Sequence, residues 1–191
     1  MMNNKRLLPV FIVPSVLVMI PAVAMMMKVE GWAWSPADFV VSWVIIGGAI
    51  AAFQIVSSQA PNRAYRQAVG LAVTTGVVLL WINGAVGLIG SEDNPANLMY
   101  AGVLVIGLLG SAFARLRSAG MALAMLVTAI AQFLVPVIAV TIWRPDFSPG
   151  VVMVFGLNFV FVLLFAGAAL LFRRAGSPAR SIARHTESFN R

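Results

Sequence analysis

The chain has 191 residues, 61% of them hydrophobic and only 10% charged, against about a quarter charged in an ordinary soluble domain. Its formal charge of +7 is spread around long apolar stretches rather than gathered on one segment, which argues against a nucleic-acid partner. It has no cysteine and a single histidine, which excludes disulfides, thiolate nucleophiles and Cys-ligated or multi-His metal centres.

Six apolar runs follow one another, at roughly 7–27, 39–56, 68–89, 98–114, 121–142 and 151–172. Most are near the ~20 residues that a helix needs to cross ~30 Å of hydrocarbon. None has a charged residue in its interior. The reading is an all-α integral membrane bundle of about six transmembrane helices, residues 1–172, arranged as three consecutive hairpins. A basic tail, 173–191, is expected to be disordered. The first run contains Pro9, Pro14 and Pro21, which should bend or loosen a helix that membrane neighbours can still support. Lys5, Arg6, an apolar stretch and Ala22-Val23-Ala24 also resemble a cleavable signal peptide. The length of the apolar run favours a retained span, and both readings stay open.

Charge sets the orientation. With the N-terminus in the cytoplasm, all 13 Lys and Arg except Lys28 and Arg144 fall on the cytoplasmic side. Short loops are those for which the positive-inside rule counts. The six acids all fall outside except Glu187. Both termini are therefore expected in the cytoplasm of a bacterium, with the spans in its inner membrane.

The three outer loops share a pattern. Each enters its next helix through a cap residue followed by proline: Ser35-Pro36, Asn94-Pro95 and Ser148-Pro149. The cap oxygen accepts from an otherwise orphaned N–H, and proline at the first helical position lacks a donor that had no partner there. Asp38 completes a Ser-x-x-Asp box after Ser35. An internal triplication would produce this pattern, and so would repeated use of the same capping chemistry. On the inner side, residues 115–120 make a turn so tight that spans four and five must be antiparallel neighbours. Trp32, Trp34, Trp81, Trp143 and Tyr100 lie near outer span ends, as an aromatic belt does. Trp43 sits about a turn deeper, where it can pack between helices.

Candidates for chemistry are few. His185 lies in the basic tail and has no second ligand to share a metal with, so no cofactor is expected. All six acids lie in loops, in the tail or at span ends, which disfavours carboxylate-coupled transport and intramembrane catalysis. The stretch 81–97 carries the most information. Asn83 reads as a buried amide well inside span three, needing a partner. Asn83, Gly87 and Ser91 are spaced by four, and Gly84 lies beside them. This spacing predicts a small-residue face at which another helix approaches closely. The span is expected to end at Gly90, with Glu92 and Asp93 at the membrane surface. The candidate residues, for function or for packing, are Asn83, Gly84, Gly87, Glu92, Asp93, Asn94 and Asp38. Glu92 and Asp93 are too few for an all-protein Ca²⁺ or Mg²⁺ site without further oxygens. Asn97 reads as an interfacial residue whose partner water could replace. Gln54, Thr74, Thr75, Thr128, Gln132 and Asn158 are expected to form a hydrogen-bonded core, and Gly47 and Gly107 to sit on close-packing faces.

Trp34, Asp38 and Phe39, with the segment from Trp81 to Asn97, resemble a family of small bacterial inner-membrane proteins to which no function is assigned. Gly120-Met121-Ala122 and Leu171-Phe172-Arg173-Arg174 resemble it more weakly. The likeness touches most of the first 125 residues in pieces, with Gly84 standing where a larger apolar residue is expected. What it implies is location and shape, with no substrate or reaction. The sequence therefore reads as a non-enzymatic accessory or structural membrane component. Beyond the lipid bilayer, its partner would be a second copy or another membrane protein. The alternatives are a small-solute or ion channel or carrier acting as an oligomer, and a lipid-modifying enzyme built on Glu92, Asp93 and Asp38.

Overall fold

The computed structural model describes residues 4–90, 94–143 and 148–177, with side chains from Leu7 onward except those of Val86 and Trp143. The elements are α1 (Asn4–Met26), α2 (Pro36–Ser58), α3 (Arg63–Val86), a 3-10 turn (Pro95–Asn97), α4 (Leu98–Phe113), α5 (Ser118–Trp143) and α6 (Pro149–Ala175). Among the described residues there are six helices and no strand. Each of the six, with α4 counted together with the 3-10 turn before it, gives a segment of at least 19 residues that is long and apolar enough to cross a membrane. The chain is thus an all-α, multi-pass membrane protein. The chain divides into two compact units, Met1–Ser58 and Gln59–Arg191. Helix α6 runs through Arg173 and Arg174 to Ala175, so the helical part outlasts the expected boundary at 172. Residues 178–191, with His185, lie outside the described residues.

The first unit is the pair α1 and α2. Proline at position 14 has no N–H, so the Val10 carbonyl one turn earlier loses its helical donor. That carbonyl faces Gly47 of α2. A Cβ at Gly47 would stand 3.2 Å from it, closer than side chains normally approach. Glycine there lets the freed carbonyl and the second backbone come together. Gly48, its neighbour, meets nothing within 4 Å. Trp43 packs on Phe11 with ring centroids 5.7 Å apart and donates from Nε1 to Ser15 Oγ at 3.1 Å.

The start of α2 is built by its own sequence. Asp38 Oδ2 accepts from Ser35 N at 2.7 Å and from Ser35 Oγ at 2.9 Å. Asp38 N returns the bond to Ser35 Oγ at 3.3 Å. Trp34, just before the cap, meets Phe39 edge-on at 5.4 Å, which makes a hydrophobic staple around a capping box. Asp38 is therefore occupied as a cap. Asp38→Ala should fray the first turn of α2 at a cost of about 1 kcal/mol. Faster amide exchange over 36–39, with the rest of α2 unchanged, would show it. Unchanged exchange there would rule out the capping role.

The second unit holds α3 to α6. Chain order makes hairpins of α3–α4 and α5–α6, but the packing runs α3 on α6, α6 on α5 and α5 on α4. Close approach explains the α4–α5 pair. A Cβ at Gly107 would lie 3.1 Å from Thr128 Oγ1, and one at Gly110 would lie 3.0 Å from Ala124 Cβ. The turn between these helices is as tight as expected: a Cβ at Gly120 would be only 2.7 Å from that of Ala114.

One end of this unit gathers the start of α3, the α4–α5 turn and the end of α6. Tyr65 Oη donates to the Leu116 carbonyl at 2.6 Å, and Asn62 Nδ2 donates to the Ala175 carbonyl at 2.9 Å. Arg63, Arg66, Arg115, Arg117, Arg173 and Arg174 all lie on these segments. The opposite end carries the candidate site.

Of the expected polar core, Thr75, Thr128, Gln132 and Asn158 are buried, whereas Thr74 is exposed. The two buried threonines bond carbonyls of their own helices. Gln132 and Asn158 join two helices, Gln132 Nε2 of α5 donating to Asn158 Oδ1 of α6 at 2.9 Å.

Candidate functional site

The structure revises the end of span three. Helix α3 stops at Val86, and Gly87 turns the chain with φ of +67°, its N–H bonding the Asn83 carbonyl at 3.1 Å. The apolar run continues to Ile89, yet the helix does not. The reason is Asn97. Its Oδ1 accepts from Leu88 N at 3.1 Å and from Ile89 N at 2.9 Å. In a continuing helix those donors would go to carbonyls four residues back. The Asn97 amide takes them instead, and its Nδ2 adds a long bond to the Ile89 carbonyl at 3.4 Å. Asn97 is 5% exposed, so it is a buried clamp and not the interfacial residue expected.

Three other residues complete the loop. Asn83 lies in the last turn of α3, not well inside it, and donates to the Asn97 carbonyl at 3.2 Å. Its own Oδ1 is buried without a protein partner. Gly90 has φ of +71°, and a Cβ there would stand 3.0 Å from Asn94 Nδ2. Both the backbone and the space call for glycine. Asn94 caps the 3-10 turn, accepting from Ala96 N at 2.9 Å, while its carbonyl accepts from Asn97 N at 2.9 Å. The segment is thus closed by three asparagine side chains acting on backbone.

Several expected features fall differently. Gly84 faces open space, and Gly87 lies beyond the helix, so Asn83, Gly84 and Gly87 do not form a close-packing face. Ser91, Glu92 and Asp93 lie outside the described residues. Asp38 belongs to the other unit, as a cap. The cap before α6 is as expected, Ser148 Oγ accepting from Val151 N at 3.4 Å. The sequence signal for Asn97, the residue that organises the loop, is its place three positions after Asn94 in Asn-Pro-Ala-Asn, a spacing suited to paired backbone capping.

Beside this loop lies a cleft of about 500 Å³. Loop residues Leu88 and Ile89 form one wall, Pro136 and Val140 of α5 another, and Val151 and Val154 of α6 a third. Asn94 and Ser148 contribute the amide and hydroxyl groups of its lining, and among the described residues no titratable side chain lines it. The volume is within the range of small-molecule pockets. Its chemistry suits an apolar group with a polar rim.

Deeper in the unit is a second polar cluster. Gln132 and Asn158 are bonded as described, and Asn158 Nδ2 also donates to the Val154 carbonyl at 2.8 Å. Tyr100 of α4 faces the Asn158 amide without a hydrogen bond of good geometry. Its hydroxyl and Gln132 Oε1 are both buried and unpartnered by protein. Pro136 adds to this, because the Gln132 backbone carbonyl loses its helical donor to the proline ring.

No family model, no curated protein and no solved structure matches the chain.

Proposed function

We propose that this is a non-enzymatic multi-pass protein of the bacterial inner membrane, with both termini cytoplasmic, that works as an accessory component by seating an apolar group of a membrane partner in the cleft beside the Asn97 loop. The observation that carries the reading is the cleft itself: preformed, apolar, rimmed by one amide and one hydroxyl, and lined by no described acid or base. Such a lining can hold an alkyl or aromatic side chain. Among its described residues there is no acid or base to move a proton.

The orientation has support from the gathering of arginines at the end of the four-helix unit opposite the cleft, as the positive-inside rule requires of a cytoplasmic end. Reporter fusions active only outside the cytoplasm should be active after Arg144 and silent after Arg66, Arg117 or Arg180. An active reporter after Arg117 would invert every loop.

For the function, a photo-crosslinking side chain at Ile89, in the cleft, should capture a specific membrane protein. The same group at Leu108, which is 70% exposed on the lipid-facing side of α4, should capture lipid. Mass spectrometry distinguishes the adducts. If both positions yield only lipid, the accessory reading fails. A self-adduct would identify the partner as a second copy.

The second reading is a small-solute or ion channel or carrier acting as an oligomer. It is favoured by the unpartnered polar atoms of Tyr100 and Gln132 among apolar helices.

A further inference from the structure

The arginine-bearing end of the four-helix unit is constructed, not merely basic. Tyr65 is fully buried, and its ring meets that of Phe172, also fully buried, edge-on at 4.9 Å. Its hydroxyl holds the Leu116 carbonyl. Leu116 and Arg115 are successive non-glycine residues with positive φ, +58° and +47°, a conformation that costs roughly 1–2 kcal/mol per residue. The Tyr65 bond helps hold the chain there. Asn62 caps α3, accepting from Tyr65 N at 3.0 Å, and its amide ties the end of α6 through Ala175. A Cβ at Gly176 would lie 3.1 Å from Ser118 Cβ, so the end of α6 also abuts the start of α5.

Each of the three segments joined at this hub carries two arginines: Arg63 and Arg66, Arg115 and Arg117, Arg173 and Arg174. All six are exposed. No carboxylate lies on any described residue of the unit. Like charges brought together without acids repel one another, and an anion relieves this. Phe113, at the same end, is 84% exposed, as an aromatic at the membrane surface can be. The positive-inside rule explains why the arginines are on one side. It does not require a buried tyrosine to lock a strained turn between the other two pairs.

We propose that these six guanidinium groups form a binding platform for anionic phospholipid headgroups, with a lipid bearing two phosphodiesters preferred over one bearing a single phosphate. The guanidinium fork matches phosphate oxygens pairwise, and a headgroup with two phosphates spans more than one arginine pair. The acyl chains then lie along the apolar flanks of α3, α4 and α6. Tyr65 is a positioning residue in this scheme, since it touches the turn and not the lipid.

The test uses the purified full chain in a zwitterionic detergent. Binding of three lipids is measured by native mass spectrometry and by melting temperature: two-phosphodiester, phosphatidylglycerol and phosphatidylcholine. Inorganic phosphate is a fourth probe. The expected order is two-phosphodiester above phosphatidylglycerol, with phosphatidylcholine and inorganic phosphate without effect. Arg115→Gln with Arg117→Gln should weaken binding roughly 30-fold, on the usual strength of an arginine at an anionic surface. Both side chains are exposed, so the fold should persist. The matched pair of Arg→Lys changes should recover part of the affinity while keeping the charge. Tyr65→Phe should also weaken binding although every arginine remains. Equal binding of phosphatidylcholine, a full effect from inorganic phosphate, or unchanged affinity in the Arg115/Arg117 double variant would each overturn the platform.

Discussion

Asn97→Ala is expected to be the most damaging single change in the loop after α3, lowering stability by about 2–4 kcal/mol. The side chain satisfies two backbone donors, Leu88 N and Ile89 N. Leu88 is itself only 4% exposed. Each buried donor left without a partner costs about 1–3 kcal/mol, and the alanine cannot supply one. Asn83→Leu should cost less, about 1 kcal/mol. It removes a single bond of 3.2 Å and also an unpartnered buried oxygen. Asn97→Asp keeps the oxygen that accepts both donors, and should fall between the two at a pH where the carboxyl is protonated. Melting temperatures in one detergent rank the variants, and amide exchange at Leu88 and Ile89 locates the loss. If Asn83→Leu proves worse than Asn97→Ala, the clamp is not what holds the loop.

This ranking reverses what the sequence implies, and the reason is physical. Hydropathy sees Val86, Leu88 and Ile89 as a continuation of span three. The helix is stopped by an amide eight to nine positions later in the chain, competing for the same backbone donors. No window on local propensity contains that competition. What was legible is what depends on neighbours in sequence: six spans, the tight turn at 115–120, and the caps at Ser35 and Ser148. Asp38 was legible as a capping residue, and that role now accounts for its interactions. The pairing of α3 with α6 was not legible, because the apolar faces of all the helices read alike and the choice rests on shape. The cleft was hidden for the same reason, since its walls come from three separated segments. Glu92 and Asp93 lie outside the described residues.

Asn158 is the position where the two functional readings separate. Asn158→Leu should destabilise the four-helix unit by about 1–3 kcal/mol, because it strands Gln132 Nε2 in an apolar interior. Gln132→Met should do the same by stranding Asn158 Oδ1. The double variant should cost less than either single change, since replacing both members of a buried polar pair by apolar groups of similar size can be nearly neutral. Melting temperatures of the four proteins close the cycle, and simple additivity would mean that the 2.9 Å bond does not couple the two sites. The double variant then serves as a probe of function that keeps the fold. An accessory protein that acts through its cleft should retain partner capture at Ile89, because neither residue lines that cleft. A channel or carrier that uses the Tyr100, Gln132 and Asn158 groups should lose solute flux in liposomes while staying folded. The expected result is retained capture with no flux in either wild type or variant. Flux in the wild type that the double variant abolishes would transfer the function from the cleft to the buried polar cluster.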